Sequence, residues 1–143
     1  IVNDFRLGSG FITTSKAFQR IFQITPRIFL GLPSFVPDCQ YLLRKIEKHV
    51  ELFRLDEGRE IEPKELANLT SYILYAHRKA PIYTAPIVAG IDSQGDPYVC
   101  GMDCLGCKTE PGSFVAGGSA KSSLMGICET LYTEGMDEEE LFT

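Results

Sequence analysis

The residues of this chain best suited to chemistry are three cysteines that lie close together, Cys100, Cys104 and Cys107. Thiolates bind zinc well, and a closed zinc site uses four ligands. A fourth ligand is not evident nearby, because His49 and His77 lie far away in the sequence. The spacing therefore favours free thiols, and we predict no metal. The alternative is a stand-alone thiol- or metal-binding domain, and a metal assay would distinguish it from a domain with free thiols.

A second candidate is the pair Asp4 and Arg6, a carboxylate and a guanidinium two residues apart at the end of a strand-like segment. Side chains two residues apart lie on the same side of a strand. The pair is either an ion pair that faces solvent or a buried polar pair that organises a site. Position alone leaves both interpretations open.

Residues 117–122 read Gly-Gly-Ser-Ala-Lys-Ser, which is weakly similar to a phosphate-binding loop. That loop needs glycine directly before the lysine, so that backbone N–H groups can wrap the phosphates. Ala120 stands there instead. We therefore expect a tight turn with Ser119 as the cap of a following helix, and no nucleotide or other cofactor.

The two histidines could serve as general bases, because imidazole titrates near neutral pH. His49 and His77 both have Lys or Arg neighbours, and neither has a serine or cysteine nucleophile at a suggestive position. We predict that both lie solvated on helix faces. The sequence contains no evident catalytic triad, nucleophile elbow or carboxylate pair.

The composition describes an ordinary globular protein of about one domain. Of 143 residues, 44% are hydrophobic and 23% are charged. The 14 Lys and Arg against 19 Asp and Glu give a net charge of −5, which argues against nucleic acid as a partner. No apolar run approaches the ~20 residues that cross a bilayer. Five cysteines, an odd number at irregular spacing, suit reduced thiols inside a cell.

The elements that must position these residues form separate runs of strands and helices. Apolar runs between turn residues predict strands at 1–5, 10–14, 20–24, 27–31, 86–92, 97–103, 105–108 and 112–117. Apolar residues three and four apart predict helices over 37–55, from Pro63 to before Pro81, and over 119–132, and acidic residues after Met136 begin another. This segregation favours an α+β layer architecture, in one domain over residues 1–143.

Several segments, in order along the chain, resemble motifs of the proteasome beta subunits, and specifically of the beta-3 type. They are residues 3–9, 18–22, 31–32 with 38, 52–55 with 58–63, 86–91, 101–107, and 125–129 with 131–132. For example, Asp-Cys-Leu-Gly-Cys at 103–107 is similar to the D-L-I-G-C loop of the beta-3 type. Their order and spacing are specific, and they cover essentially the whole chain.

The resemblance implies a four-layer αββα sandwich of the N-terminal-nucleophile hydrolase type, truncated here at both ends as an interior piece of a longer protein. It implies alpha and beta subunits of stacked heptameric rings as partners, with polypeptide substrates in the chamber. It also implies a place in the cytoplasm and nucleus. Beta-3-type subunits are structural, non-catalytic members of the 20S core particle, which degrades proteins in an ATP- and ubiquitin-dependent way.

The resemblance also assigns positions of a vestigial active site. Catalytic members use an N-terminal threonine, which would precede Ile1, with its own amine as base and a Lys and an Asp as helpers. Asp4 falls on that Asp and Arg20 on that Lys. Ser34 falls near a glycine that helps stabilise the oxyanion, and Ser119 on a serine that supports the threonine.

Arg20 is the main departure from the catalytic pattern. Arginine stays protonated and cannot imitate a compact lysine that tunes an amine. The bulk of Phe35 would crowd a substrate backbone, and Asp4 and Arg20 could pair across the site. We therefore expect no catalytic residue in this chain. The alternative is a threonine-type endopeptidase whose nucleophile lies outside these residues.

Asp103, Cys104 and Cys107 form a second site that the resemblance implies. In the family this loop lies at a subunit boundary and lines the substrate cleft of the adjacent catalytic subunit. Asp103 would then favour basic or polar peptide side chains in that cleft. The alternative is that Asp103 is only an interface carboxylate.

Overall fold

The computed structural model describes residues 1–142, and this part of the chain contains two antiparallel sheets and four helices. Thr143, the last residue of the predicted domain, lies outside the described residues. The strands are β1 (Leu7–Ser9), β2 (Ile12–Ser15), β3 (Ile21–Thr25), β4 (Ile28–Gly31), β5 (Ile87–Ile91), β6 (Pro97–Met102) and β7 (Lys108–Thr109). The helices are α1 (Val36–Glu57), α2 (Pro63–Ala76), α3 (Lys121–Leu131) and α4 (Glu138–Phe142).

The main sheet has five strands in the order β3-β4-β5-β6-β7, and β1 and β2 form a separate hairpin. Its central register places Leu30 opposite Val88 and Val88 opposite Cys100. All three side chains are fully buried. Because side chains alternate between the faces of a strand, this line of residues marks the covered face of the sheet.

Helices α1 and α2 supply the apolar side chains of the core that covers this face. The buried positions recur three and four residues apart, as a helix with one apolar stripe requires. They are Cys39, Leu42, Ile46 and Val50 on α1 and Leu66, Ala67, Thr70, Ile73 and Leu74 on α2. Burying a leucine or isoleucine side chain contributes about 1.5–3 kcal/mol. This packing therefore fixes both helices on the sheet.

The junction between α1 and α2 has a stop signal, a start signal and an ion pair. Gly58 ends α1 at a φ of 66°, which favours glycine, and its N–H donates to the Arg54 carbonyl. The Glu65 carboxylate accepts from the Glu62 N–H at 2.9 Å at the start of α2. Arg59 donates to the same carboxylate at 2.7 and 2.9 Å and lies over the Phe53 ring. One carboxylate thus joins the connector to the second helix.

The predicted α+β class is confirmed, but several predicted elements are wrong. No strand covers residues 1–5, because the carbonyls of Asp4 and Arg6 accept from the Arg20 side chain and not from a neighbouring strand. Lys108 begins the strand predicted at 105–108, because residues before it form a turn. Residues 112–117 are not a strand. Within residues 1–142, no helix is long and apolar enough to cross a membrane.

The predicted cap of the third helix is also wrong. Ala120, and not Ser119, precedes the first residue of α3, and no side chain caps this helix end. The Lys121 N–H donates instead to the Gly118 carbonyl at 3.2 Å. Gly118 has a φ of 87°, which favours glycine, and so the backbone itself makes this turn.

Acid should weaken the junction between α1 and α2. Hydrogen bonds from Arg59, with a smaller share from the Glu62 N–H, hold the pKa of Glu65 below its ordinary value of 4.5. A lowered pKa in the folded state stabilises the chain above the unfolded pKa, and this stability is lost as pH falls through the folded pKa. Glu65→Gln should therefore lower the free energy of unfolding at pH 7 by about 1 kcal/mol and reduce its dependence on pH below 4.5.

Urea unfolding of the full chain at a series of pH values measures both effects. Glu47→Gln is the matched control, because Glu47 is an exposed carboxylate on the same pair of helices outside the junction. Equal acid sensitivity in the wild type and Glu65→Gln would contradict the prediction.

Candidate functional site

Arg20 lies just before β3 and ties the N-terminal segment to the main sheet. Its guanidinium donates to the Asp4 carbonyl at 3.1 Å and to the Arg6 carbonyl at 2.7 Å. The Asp4 Oδ1 lies 3.4 Å from the same guanidinium. The guanidinium carbon is 5.2 Å from the centre of the Phe18 ring. Asp4 and Arg20 therefore pair, as the sequence suggested, but the backbone carbonyls accept the shorter bonds.

The electrostatics of this pair favour a structural role. The Asp4 side chain is 74% exposed and the Arg20 side chain 20% exposed. A long ion pair to an exposed carboxylate contributes only about 0–1 kcal/mol, whereas hydrogen bonds from a charged donor to a carbonyl are stronger. A guanidinium has donors and no acceptor, so Arg20 cannot take up a proton here. Arg20 acts as a clamp on the backbone.

Arg6 does not form the ion pair with Asp4 that its spacing allows. The Arg6 Nε donates to the Thr13 hydroxyl at 3.0 Å, and another guanidinium nitrogen donates to the Gly10 carbonyl at 2.9 Å. Only the Arg6 backbone N–H reaches the Asp4 carboxylate, at 3.3 Å. Both interpretations of an Asp4–Arg6 pair are therefore wrong. The Arg6 side chain donates hydrogen bonds within the β1–β2 hairpin, and the Asp4 carboxylate pairs with Arg20 instead.

Ser34 lies in the turn between β4 and α1, beside a small pocket. Its φ is 88°, the only positive φ of a non-glycine residue within residues 1–142, and it forms a backbone bridge with Thr84. The pocket has a volume of about 120 Å³. Its lining is mostly apolar and consists of Phe18, Gln19, Phe22, Leu32, Ser34, Val36, Cys39, Gln40 and Leu43. Ser34 therefore occupies a backbone conformation that glycine would adopt more easily.

The structure brings Asp4, Arg20, Ser34 and Ser119, the four positions that the family resemblance assigned, to one end of the main sheet without hydrogen bonds that join all four. The Leu32 N–H donates to the Arg20 carbonyl at 2.9 Å, which places the Ser34 turn beside Arg20. A Cβ on Gly117 would lie 3.4 Å from Pro33, so the loop that leads to Ser119 passes close to the same turn. Within residues 1–142, neither Ser34 nor Ser119 is hydrogen bonded to Asp4 or Arg20.

A buried hydrogen-bond group that the sequence did not indicate holds the Ser34 turn. The Thr84 hydroxyl donates to the Pro33 carbonyl at 2.8 Å, and the Cys39 thiol lies 3.3 Å from the same oxygen. Burial raises the pKa of the Cys39 thiol, and the hydrogen bond between Cys39 and Thr84 offsets only part of this rise. Thr84 belongs to no strand or helix, so no periodic pattern marked it.

Asp103 organises the loop between β6 and β7. Its Oδ1 accepts the backbone N–H groups of Leu105 and Cys107, each at 2.9 Å. The Asp103 N–H donates to the Cys107 carbonyl, and the Gly106 N–H donates to the Asp103 carbonyl. The Ser71 hydroxyl of α2 donates to the Gly106 carbonyl at 2.5 Å. The sequence located this loop but not the hydrogen bonds of Asp103, which keep the loop folded.

The three cysteines of the first sequence motif lie in different surroundings. Cys100 is fully buried in β6, and burial is the main cause that raises its pKa. Cys104 is half-buried and Cys107 is exposed. All five cysteines carry free thiols. In the described part of the chain, no group of three or more His, Cys, Asp or Glu residues is placed to hold a metal ion.

Within residues 1–142, neither histidine is hydrogen bonded to a serine or a cysteine. The Nδ1 of His49 pairs with the Lys45 carbonyl at 2.7 Å, on an exposed face of α1. The Nδ1 of His77 pairs with the Ile73 carbonyl at 2.8 Å, and its Nε2 lies 3.2 Å from the Tyr41 hydroxyl. His77 is half-buried at the end of α2, so the prediction of a fully solvated histidine is wrong there.

Two helices pack on one face of an antiparallel sheet, an α+β arrangement that is consistent with a sandwich of the N-terminal-nucleophile hydrolase type. Comparison with known proteins agrees, because the "Proteasome subunit" family matches residues 1–143. The chain belongs to the proteasome subunit family, and its predicted resemblance to the beta-3 type is confirmed.

Three relatives illustrate the similarity. The chain is 37% identical to proteasome subunit beta type-3 of Oryza sativa over 142 residues, which cover 99% of this chain and 70% of the relative. It is 39% identical to proteasome subunit beta type-3-A of Arabidopsis thaliana, with the same coverage. It is 37% identical to proteasome subunit beta type-3 of Saccharomyces cerevisiae, covering 99% of this chain and 69% of the relative.

Ser34→Gly should stabilise the chain. A side chain at positive φ costs about 1–2 kcal/mol, and glycine removes this cost while adding up to about 1 kcal/mol of backbone entropy to the unfolded state. We expect a net gain of about 0.5–1 kcal/mol in the free energy of unfolding, measured by urea denaturation of the full chain. Ser34→Ala is the control, because it removes the hydroxyl and keeps the Cβ. A gain of equal size in both variants would show that φ is not the cause.

Proposed function

We propose that this chain is a structural, non-catalytic beta subunit of the proteasome core particle. It would hold ring contacts with other alpha and beta subunits in stacked heptameric rings, in the cytoplasm and nucleus. It would thereby support the ATP- and ubiquitin-dependent degradation of polypeptides in the chamber. Membership of the beta-3-type family supports the assembly with other proteasome subunits.

The single observation that carries the non-catalytic role is the engagement of Arg20. Its guanidinium donates to two backbone carbonyls and lies beside the Asp4 carboxylate. A nucleophile beside Arg20 and Asp4 would need a neighbouring base that can accept and return a proton near neutral pH. Arginine cannot do so, and moving it toward a substrate would break its hydrogen bonds to both carbonyls. Arg20 therefore stabilises the fold of the site and is unsuited to act as a base.

Exposed apolar side chains support the proposed assembly. Phe11 is fully exposed at the tip of the β1–β2 hairpin, and the neighbouring Ile12 is 75% exposed. On α3, Ile127 and Leu131 are also exposed, and no residue of this helix is buried. Soluble monomers rarely expose contiguous apolar patches larger than a few hundred Å², so a hairpin tip and a helix that both present large apolar side chains suit contacts with other subunits.

A covalent probe for N-terminal threonine should not label this subunit. The assembled native particle would be treated with a peptide electrophile that forms an adduct with such a threonine, and each subunit would be analysed by mass spectrometry. We expect adducts on the catalytic beta subunits and none on this chain. The labelled subunits of the same particle are the internal control.

Arg20→Lys is the second variant for this test. It restores the basic residue that catalytic members carry, and we expect the subunit to stay unlabelled, since a lysine alone supplies no nucleophile. Labelling of this chain, or an N-terminal sequence that begins with a processed threonine, would support the alternative of a threonine-type endopeptidase and overturn the proposal.

We also propose that Asp103 lies beside the substrate cleft of a neighbouring catalytic subunit. Its side chain is exposed, and only its Oδ1 is engaged by the loop. The remaining carboxylate oxygen leaves negative charge that would favour basic or polar peptide side chains. Cys104 and Cys107 would border the same cleft through the loop that Asp103 holds.

Asp103→Asn tests this role without unfolding the loop. An asparagine Oδ1 can accept the same two N–H groups, so the variant removes charge and keeps the acceptor. We expect the assembled particle to cleave basic peptide substrates about 2–10-fold less efficiently, with smaller changes for apolar substrates. Kcat/KM for a panel of fluorogenic peptides measures this shift.

Asp103→Ala is the matched comparison, because it removes both the charge and the acceptor. A loss of activity in Asp103→Ala without any change in Asp103→Asn would mean that Asp103 only folds the loop. Unchanged kinetics for all peptides in both variants would leave Asp103 as an interface carboxylate.

A further inference from the structure

Cys104 and Cys107 are close in sequence, and within residues 1–142 neither of them is fully buried. Cys104 is half-buried and Cys107 is exposed, whereas Cys39 and Cys100 are buried. Burial makes a thiol unreactive, because the thiolate is the nucleophile and is disfavoured away from water. Cys128 is half-buried on α3 and has no other cysteine near it in the sequence.

The loop that carries this pair is closed at its base. Asp103 and Cys107 face each other, since the Asp103 N–H donates to the Cys107 carbonyl and the Asp103 carboxylate accepts the Cys107 N–H at 2.9 Å. Three residues bridge this base, and the Gly106 N–H closes a turn on the Asp103 carbonyl. The ends of this turn, Asp103 and Gly106, lie within about 7 Å of each other at their Cα atoms. Cys104 lies inside the turn and Cys107 directly follows it, so both cysteines belong to one short folded loop.

The loop is also anchored to a rigid element. The Ser71 hydroxyl holds the Gly106 carbonyl, and Lys108 reaches Asn68 on the same helix. A disulfide needs Cα atoms about 4.4–6.8 Å apart. Residues three apart are separated by at most about 11 Å even in an extended chain, and the loop that carries Cys104 and Cys107 is folded back on itself. A peptide without these anchors would have to restrict its own freedom first.

From this geometry we propose that Cys104 and Cys107 form a reversible intramolecular disulfide when the protein meets a peroxide. The exposed Cys107 thiolate attacks one peroxide oxygen. The O–O bond breaks, hydroxide leaves, and Cys107 becomes a sulfenic acid. The Cys104 thiolate then attacks this sulfur, the S–O bond breaks, and the S–S bond forms as a second hydroxide leaves. The two thiol protons neutralise the two hydroxides, so two thiols and one hydrogen peroxide give one disulfide and two waters.

The pair thus forms a redox-sensitive modification site for small peroxides, and a dithiol reductant would reverse the change by exchange. The disulfide would hold the loop beside the Asp103 carboxylate in one shape. This inference rests on the loop itself and does not depend on the proposed function of the subunit.

Peroxide treatment of the assembled native particle tests the proposal. After treatment, remaining thiols are alkylated under denaturing conditions, and the peptide that contains residues 100–108 is measured by mass spectrometry. We expect the loss of alkylation at Cys104 and Cys107 together, with a peptide mass lower by the two hydrogens of the thiols. Dithiothreitol should restore alkylation at both positions.

Three variants separate the pair from single oxidised thiols. In Cys104→Ser, Cys107 should accumulate sulfenic acid that dimedone traps, because the second thiol is absent. Cys107→Ser should leave Cys104 largely reduced. Cys128→Ser is the matched control and should behave like the wild type, since it removes a half-buried thiol outside the loop.

Two results would overturn the proposal. One is full alkylation of Cys104 and Cys107 after a peroxide dose that oxidises Cys128. The other is a Cys104–Cys107 disulfide that forms equally well in urea, because the folded loop would then contribute nothing. The wild-type peptide masses decide both results, so the test does not depend on the folding of any variant.

Discussion

The burial of one sheet face is the constraint on which both candidate sites depend. Leu30, Val88 and Cys100 lie side by side across three strands, and α1 and α2 complete the core above them. At one end of the sheet, this packing sets the turn with Ser34 next to Arg20. At the same end of the strands, after β6, it sets α2 beside the loop of residues 103–107, through Ser71. A change in strand register would move both loops at once.

The surroundings of Arg20 illustrate how the chemistry of one side chain favours a structural role over a catalytic one. A basic residue beside Asp4 could in principle assist chemistry, and Arg20 keeps the charge and the position. The guanidinium, however, has several donors in one plane, and two backbone carbonyls take them. The same planar fork that makes arginine a poor proton acceptor allows it to hold two backbone carbonyls at once, so the chemistry of the guanidinium suits a structural role.

The sequence predicted the parts of this fold that follow from periodicity and from end signals. The spacing of Leu42, Ile46 and Val50, together with Gly58 and Pro63, located α1 within one or two residues and fixed the start of α2. The end of α2, at Ala76, lies several residues before Pro81, the stop signal in the sequence. Prediction from the sequence failed where a side chain distant in sequence determines the conformation of the backbone. Arg20 keeps residues 1–5 out of a strand, and Asp103 folds residues that a local pattern assigns to a strand. The positive φ of Ser34 could not be predicted, because this conformation is typical of glycine and the residue here is serine.

The β1–β2 hairpin is not hydrogen bonded into the main sheet as a strand. Its links to the rest of the chain include the Phe18 N–H on the Phe5 carbonyl and the Arg20 bonds to the N-terminal segment. Because the hairpin shares no strand pairing with the main sheet, we expect it to open at a free energy below that of global unfolding. Backbone amides of the hairpin should then exchange with solvent while those of β4 and β5 stay protected, so the subunit contains two cooperative units of unequal stability.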